Sequence, residues 1–139
     1  MKRAAELAAL SREHHEALVL ARRACDPRRD GSEPGPLREQ VLRRWSEQFE
    51  PHFAAEEQVL LPALAGAGVA AQAAAAAAWR QHADLRALVA LLRAGDLSAL
   101  PSWGDAMREH VRFEERELFP LAQQLVDLLP LADRLARAH

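Results

Sequence analysis

His52-Phe53-Ala54-Ala55-Glu56-Glu57-Gln58-Val59-Leu60-Leu61-Pro62 and His110-Val111-Arg112-Phe113-Glu114-Glu115-Arg116-Glu117-Leu118-Phe119-Pro120 are two copies of one pattern, H-x-x-x-E-E-x-x-L-[LF]-P. Residues four apart on an α-helix lie on one face, one above the other. Each copy therefore aims an imidazole and a carboxylate in one direction, about 6 Å apart along the axis. Two such pairs that converge could surround metal ions.

The repeat extends beyond these eleven positions. Trp45 precedes His52 by seven residues, and Trp103 precedes His110 by seven. Upstream, His15-Glu16-Ala17-Leu18 corresponds to His82-Ala83-Asp84-Leu85. The unit is thus a helical hairpin, with one His on its first helix and a Trp and a His-x-x-x-Glu on its second. Two hairpins with short connections predict an all-α, up-down-up-down antiparallel four-helix bundle with pseudo-twofold symmetry.

The flanking sequence supports four long helices. Residues 1–24 contain good helix formers and no Gly or Pro. Leu7, Leu10, His14, Ala17, Leu18 and Ala21 share one side of that helix, and His15 sits beside the stripe. Breakers crowd 26–36. A second helix is predicted from Pro36 to about residue 65, with Trp45, Phe49, His52, Glu56 and Leu60 inward. Pro51 falls inside it and should kink it, and Pro62 should bend or end it. Gly66-Ala67-Gly68 is a turn. A third helix is expected over 69–93, carrying an alanine tract and the stripe His82, Leu85, Val89, Leu92. A fourth starts at Pro101 or Ser102, with Ser102 as N-cap, and presents Trp103, Met107, His110, Glu114 and Leu118. Pro130 opens a short extra C-terminal helix over 131–138.

Composition narrows the function. The 139 residues fit a single domain, 1–139. The net charge is -2 with acids and bases interspersed, so no basic footprint for nucleic acid is present. Cys25 is the only cysteine, which rules out an intrachain disulfide and fits a reducing, cytoplasmic compartment. No signal peptide is evident, and the longest apolar stretch is too short and too weakly apolar for a membrane span. The abundance of Ala and Arg fits a GC-rich bacterial genome.

A lone His on an apolar face is usually a satisfied core residue. Here all four helices place a His on or beside their stripe, and two add a Glu. A carboxylate carried into a dry core costs several kcal/mol unless it is compensated, and no Lys or Arg lies on the same stripe. A pair of cations would compensate Glu56 and Glu114. Imidazole and carboxylate suit iron or manganese. Structural zinc favours thiolates, whereas calcium and magnesium favour oxygen alone. Two carboxylates can bridge two metals, leaving two histidines and open positions for each. With no tyrosine in the chain, tyrosinate ligation and a tyrosyl radical are excluded.

The order His…His-x-x-x-Glu…His…His-x-x-x-Glu, over about 11–123, resembles the hemerythrin-like (HHE cation-binding) domain. The resemblance implies a cofactor of two iron ions, a non-haem di-iron centre bridged by oxo or hydroxo and by two carboxylates. Carried over by position, it implies His15, His52, His82 and His110 as terminal metal ligands and Glu56 and Glu114 as bridges. His14 fits the apolar stripe better, whereas His15 fits the repeat and the family's H-x-x-[LM] signature; His15 is taken as the ligand, with His14 the alternative.

Oxygen-carrying hemerythrins have a second His one turn along the third helix. Ala78 and Arg86 stand at those positions here. They also place an Asp five residues after the last His, where this chain offers Glu115 beside Glu114. The family therefore implies a protein that binds or senses a small ligand, oxygen or nitric oxide. The alternatives are an enzyme acting on peroxide or nitric oxide, and an iron store or carrier. Members with four His and two Glu resemble bacterial proteins tied to nitrosative stress and iron handling. Glu57 and Glu115 could orient ligating imidazoles, and His139 is terminal and uninvolved.

Overall fold

A computed structural model describes residues 2–28, 31 and 33–138; His139, expected to be uninvolved, lies outside them. Four long helical rods and a short fifth helix account for nearly all of these residues. They are α1 (Ala5–Cys25), α2 (34–65), α3 (Val69–Arg93), α4 (99–125) and α5 (Ala132–Ala138), the last preceded by a 3-10 turn at Leu129–Leu131. The third helix has the bounds its sequence predicts. The second begins two residues before Pro36. The fourth begins at Ala99, which puts Ser102 inside the first turn and not at the N-cap. Among the described residues, no helix is long and apolar enough to cross a membrane.

The rods alternate in direction. One apolar cluster gathers Ala17–Ala24 side chains of α1 with Val41 and Trp45 of α2, Leu85 and Leu92 of α3, and Trp103 and Met107 of α4. A second gathers Leu7 and Leu10 of α1, Val59 and Leu64 of α2, Ala71 and Ala78 of α3, and Leu118 and Ala122 of α4. Thus α1 and α3 run from the second cluster to the first, and α2 and α4 run back. This is the up-down-up-down order. Leu135 of α5 is buried in the second cluster, so the extra helix closes that end. At the other end, α3 stops in a Schellman motif: Gly95 (φ +92°) donates to the Leu92 carbonyl and Asp96 to that of Leu91.

Pro51, Pro62 and Pro120 neither end nor break the rods. Each follows a widened, π-type turn, at Trp45–Phe49, Glu56–Leu60 and Glu114–Leu118. The residue before each proline donates five positions back: Glu50 to Trp45, Leu61 to Glu56, Phe119 to Glu114. A regular turn would press the proline ring against the carbonyl four residues earlier, and one extra residue in the turn removes that conflict. The expected kink at Pro51 is accordingly a local widening, and Pro62 is carried within the same rod.

The α1–α4 crossing is set by Gly104. A Cβ there would sit 2.6 Å from the Ala21 carbonyl oxygen and 2.8 Å from the Cys25 nitrogen. Backbone cannot rotate away as a side chain can. Gly104→Ala should therefore destabilise the chain by about 1–3 kcal/mol despite the better helix propensity of alanine. A denaturant midpoint equal to or above that of the native chain would show that the two helices part without cost.

Candidate metal centre

Between the two apolar clusters lies a polar layer. Among the described residues, the buried polar or charged side chains are His14, His52, Glu56, His82, His110 and Glu114. Each bundle helix contributes to it: α1 gives His14, α3 gives His82, α2 gives His52 and Glu56, and α4 gives His110 and Glu114. The two glutamates each open a widened turn, so the proline that follows six residues later helps set the backbone at the carboxylate. Phe53 stacks on His82 (4.0 Å between ring centroids) and Phe119 on His14 (5.3 Å).

Two sets of four donors form within this layer. His14, His52, Glu56 and Glu114 place one ligand atom each within 4.8 Å of one another; Glu56, His82, His110 and Glu114 do the same. Both carboxylates belong to both sets. The nearest approaches are His14 Nε2 to Glu114 Oε1 at 2.9 Å, His82 Nε2 to Glu56 Oε1 at 3.1 Å, and His52 Nε2 to Glu56 Oε2 and His110 Nε2 to Glu114 Oε1, both at 3.4 Å. Apart from the His14 contact, several of these atoms meet without aligned hydrogen bonds. Both Glu56 oxygens, Glu114 Oε2, His82 Nε2 and His110 Nε2 are buried and make none. Buried polar atoms without hydrogen bonds are uncommon in folded proteins. Nitrogen and oxygen donors left so, converging from four helices, fit cations better than they fit one another.

Five of the six residues expected from the sequence meet here. The sixth, His15, does not: it is exposed and lines a surface groove with Glu16, Arg23, Arg43 and Arg44. His14 takes the place in the cluster. The reason is helical phase. Leu7, Leu10, His14, Ala17 and Ala21 keep a 3-4-3-4 spacing that faces the core, and His15 is turned about 100° away. The true counterpart of His82 is therefore His14, with Ala17 standing where the third helix has Leu85.

The outward nitrogens are also held. Glu115 accepts from His14 Nδ1 and Glu57 from His82 Nδ1, both at 2.7 Å, as their sequence reading as orienting acceptors anticipates. Gln81 Oε1 accepts from His110 Nδ1 at 2.7 Å, and Glu13 lies 3.3 Å from His52 Nδ1. With Nδ1 donating, the neutral imidazole turns its Nε2 lone pair inward. Glu57 is in turn gripped by Arg86 at 2.7 and 2.9 Å, and Glu115 by Ser11 and Arg3. Sequence reasoning missed Glu13, Gln81 and Arg86. For the first two a signal existed, since each directly precedes a buried His; nothing local marked Arg86.

Without metal, protons stand in for cations. Burial pulls the pKa of His82 down, but the close approach of Glu56, the hydrogen bond to Glu57 and the charges of Glu56 and Glu114 raise it to about 9. His14 is raised against the same burial by Glu114 and Glu115. His52 is raised well above its ordinary value, again against burial, by Glu56, Glu114 and Glu13. Burial pushes Glu114 up, yet the neighbouring histidines, His110 foremost, hold it well below the usual carboxylate range. Burial likewise raises Glu57, and His82 and Arg86 bring it down to about 2.

The family model of the Hemerythrin HHE cation binding domain matches residues 5–122. That span covers all four bundle helices up to the last turn of α4. No curated protein and no solved structure matches the chain. A four-helix bundle with a buried His/Glu layer defines a cation-binding helical protein. The chain belongs to the hemerythrin HHE cation-binding family, and its buried clusters are suited to hold metal.

The shifted groups fix the sign of a pH effect. In the metal-free chain His82 stabilises the fold fully below its ordinary value of 6.5, and that contribution is lost as pH rises through about 9. Glu57 stabilises above its ordinary 4.5 and ceases to as pH falls through about 2. Metal binding needs neutral imidazoles and displaces these protons. Between pH 6.5 and 9 the melting temperature should thus fall for the metal-free chain and rise for the chain in excess divalent metal. Parallel slopes in the two series would contradict this assignment.

Proposed function

We propose that this chain holds two iron ions in the polar layer and uses them to bind or sense a small ligand, oxygen or nitric oxide. The observation that carries the reading is the sharing of Glu56 and Glu114 between both donor sets. One ion would be held by His14 and His52, the other by His82 and His110, with the two carboxylates common to both. Iron held in this way supplies redox-active positions open to a small exogenous ligand. Two imidazoles and two shared carboxylates give each ion four protein donors, fewer than octahedral coordination takes. No thiolate is at hand to favour structural zinc, and calcium or magnesium would leave the four imidazoles without a purpose.

The remaining residues shape access and permanence. The six inner side chains are at most 4% exposed, so bulky substrates are excluded and water is scarce. Phe53 and Phe119 cover the faces of His82 and His14. Glu57, Glu115, Glu13 and Gln81 fix ring orientation from behind. In oxygen-carrying relatives a further third-helix His adds a donor, but here Ala78 is buried at one of those positions and Arg86 grips Glu57 at the other. That leaves more room for the exogenous ligand. The setting is taken to be the bacterial cytoplasm, with neither nucleic acid nor membrane as partner.

Two experiments test this. The iron-loaded, reduced chain should give a new visible or near-ultraviolet absorption band on mixing with oxygen or with nitric oxide; spectra unmoved by both gases would remove the ligand-binding function. Separately, His14→Ala should weaken metal binding by more than the roughly 10–100-fold that loss of a residue behind a ligand costs, whereas His15→Ala should leave it unchanged. The reverse ranking would return His15 to the site.

A further inference from the structure

The polar layer and its supports follow the twofold repeat. In each hairpin, the residue before the first-helix histidine faces Nδ1 of the second-helix histidine: Glu13 for His52, Gln81 for His110. Across hairpins, the second glutamate of each copy holds the opposite first-helix histidine: Glu57 for His82, Glu115 for His14. Within the layer, His14 is related to His82, His52 to His110, and Glu56 to Glu114. Of these five related pairs only one differs in residue type, Glu13 against Gln81.

That difference is one of charge behind a donor. A carboxylate accepting from Nδ1–H strengthens the other ring nitrogen as a ligand, and a neutral amide does so less. We infer that the two cation positions are unequal, and that the one between His14 and His52 binds a divalent cation more tightly than the one between His82 and His110. This rests on the two-ion reading above. The first position has Glu115 and Glu13 behind its imidazoles; the second has Glu57 and the uncharged Gln81. Glu13 stands farther off than Gln81, at 3.3 against 2.7 Å. A full negative charge still acts over that distance, and an amide has none. The arginines add to the imbalance. Arg86 takes both oxygens of Glu57, at 2.7 and 2.9 Å, whereas Arg3 reaches one oxygen of Glu115, at 3.2 Å. More carboxylate charge is therefore drawn away behind His82 than behind His14. Gln81 itself borders a surface groove lined by Arg112 and Arg116 and also by Glu109 and Glu117, so a carboxylate placed there would meet neighbours of both signs.

The test is a calorimetric titration of the full metal-free chain with Co(II), without oxygen. It is paired with anomalous diffraction from crystals given one equivalent. Two binding steps differing by about 10–100-fold are expected, with the first equivalent found between His14 and His52. Gln81→Glu should strengthen the second step about tenfold and leave the first in place. Glu13→Gln should narrow the same gap from the other side, by weakening the first step. The diffraction arm needs no variant to fold. Equal occupancy at one equivalent, or cobalt first between His82 and His110, would overturn the inequality. So would a second step unmoved in Gln81→Glu. A total of one equivalent at saturation would instead overturn the two-ion reading, and this inference with it.

Discussion

Two carboxylates with no measurable exposure, Glu56 and Glu114, sit at the centre of this bundle with no lysine or arginine among the buried described residues. An ionised carboxylate in such surroundings is costly unless charge of the opposite sign is close. Everything else in the layer answers that constraint. Four imidazoles converge on the two acids. Without metal, His14, His52 and His82 keep protons that burial alone would remove, His82 up to about pH 9. With metal, those protons give way to cations. The layer also divides the apolar interior into two clusters, so the same residues that would bind metal interrupt the hydrophobic core. That is an expensive arrangement for stability alone and a reasonable one for a site.

The backbone is adapted to the same purpose. Glu56 and Glu114 each begin a widened turn that ends just before Pro62 or Pro120. Widened turns inside α-helices are frequent at functional sites because they alter where a side chain emerges. Here the proline supplies a local physical cause, and its place in the repeat, six residues after the acid, ties that cause to the site. Trp45–Phe49 before Pro51 is the same device one turn ahead of His52, and it has no counterpart in the second hairpin.

Much of this was legible in the sequence because it repeats. The two copies of H-x-x-x-E-E-x-x-L-[LF]-P contain four of the six residues of the polar layer, and the wider hairpin repeat around them led to the bundle and to His82. The first helix was read less well. Repeat alignment favoured His15 and apolar periodicity favoured His14, and burial follows periodicity: a helix has one phase, fixed by Leu7, Leu10, Ala17 and Ala21, and cannot turn about 100° for a motif. The prolines read as kinks because a regular helix cannot hold them; that the chain would instead add a residue to the turn is not visible from composition. Glu13, Gln81 and Arg86 act across helices, on partners 29 to 39 residues away in the chain; a buried His next in sequence hinted at the first two, and nothing local marked Arg86.

The account is tested most directly by counting ions. The metal-stripped chain would be incubated with excess Fe(II) in the absence of oxygen, freed of unbound metal and analysed for iron and protein together. Two iron ions per chain are predicted, with near-complete loss when Glu56 and Glu114 are both replaced by glutamine. A native chain that retains no iron, or a doubly substituted chain that retains as much as the native one, would contradict the claim that these buried acids exist to hold cations.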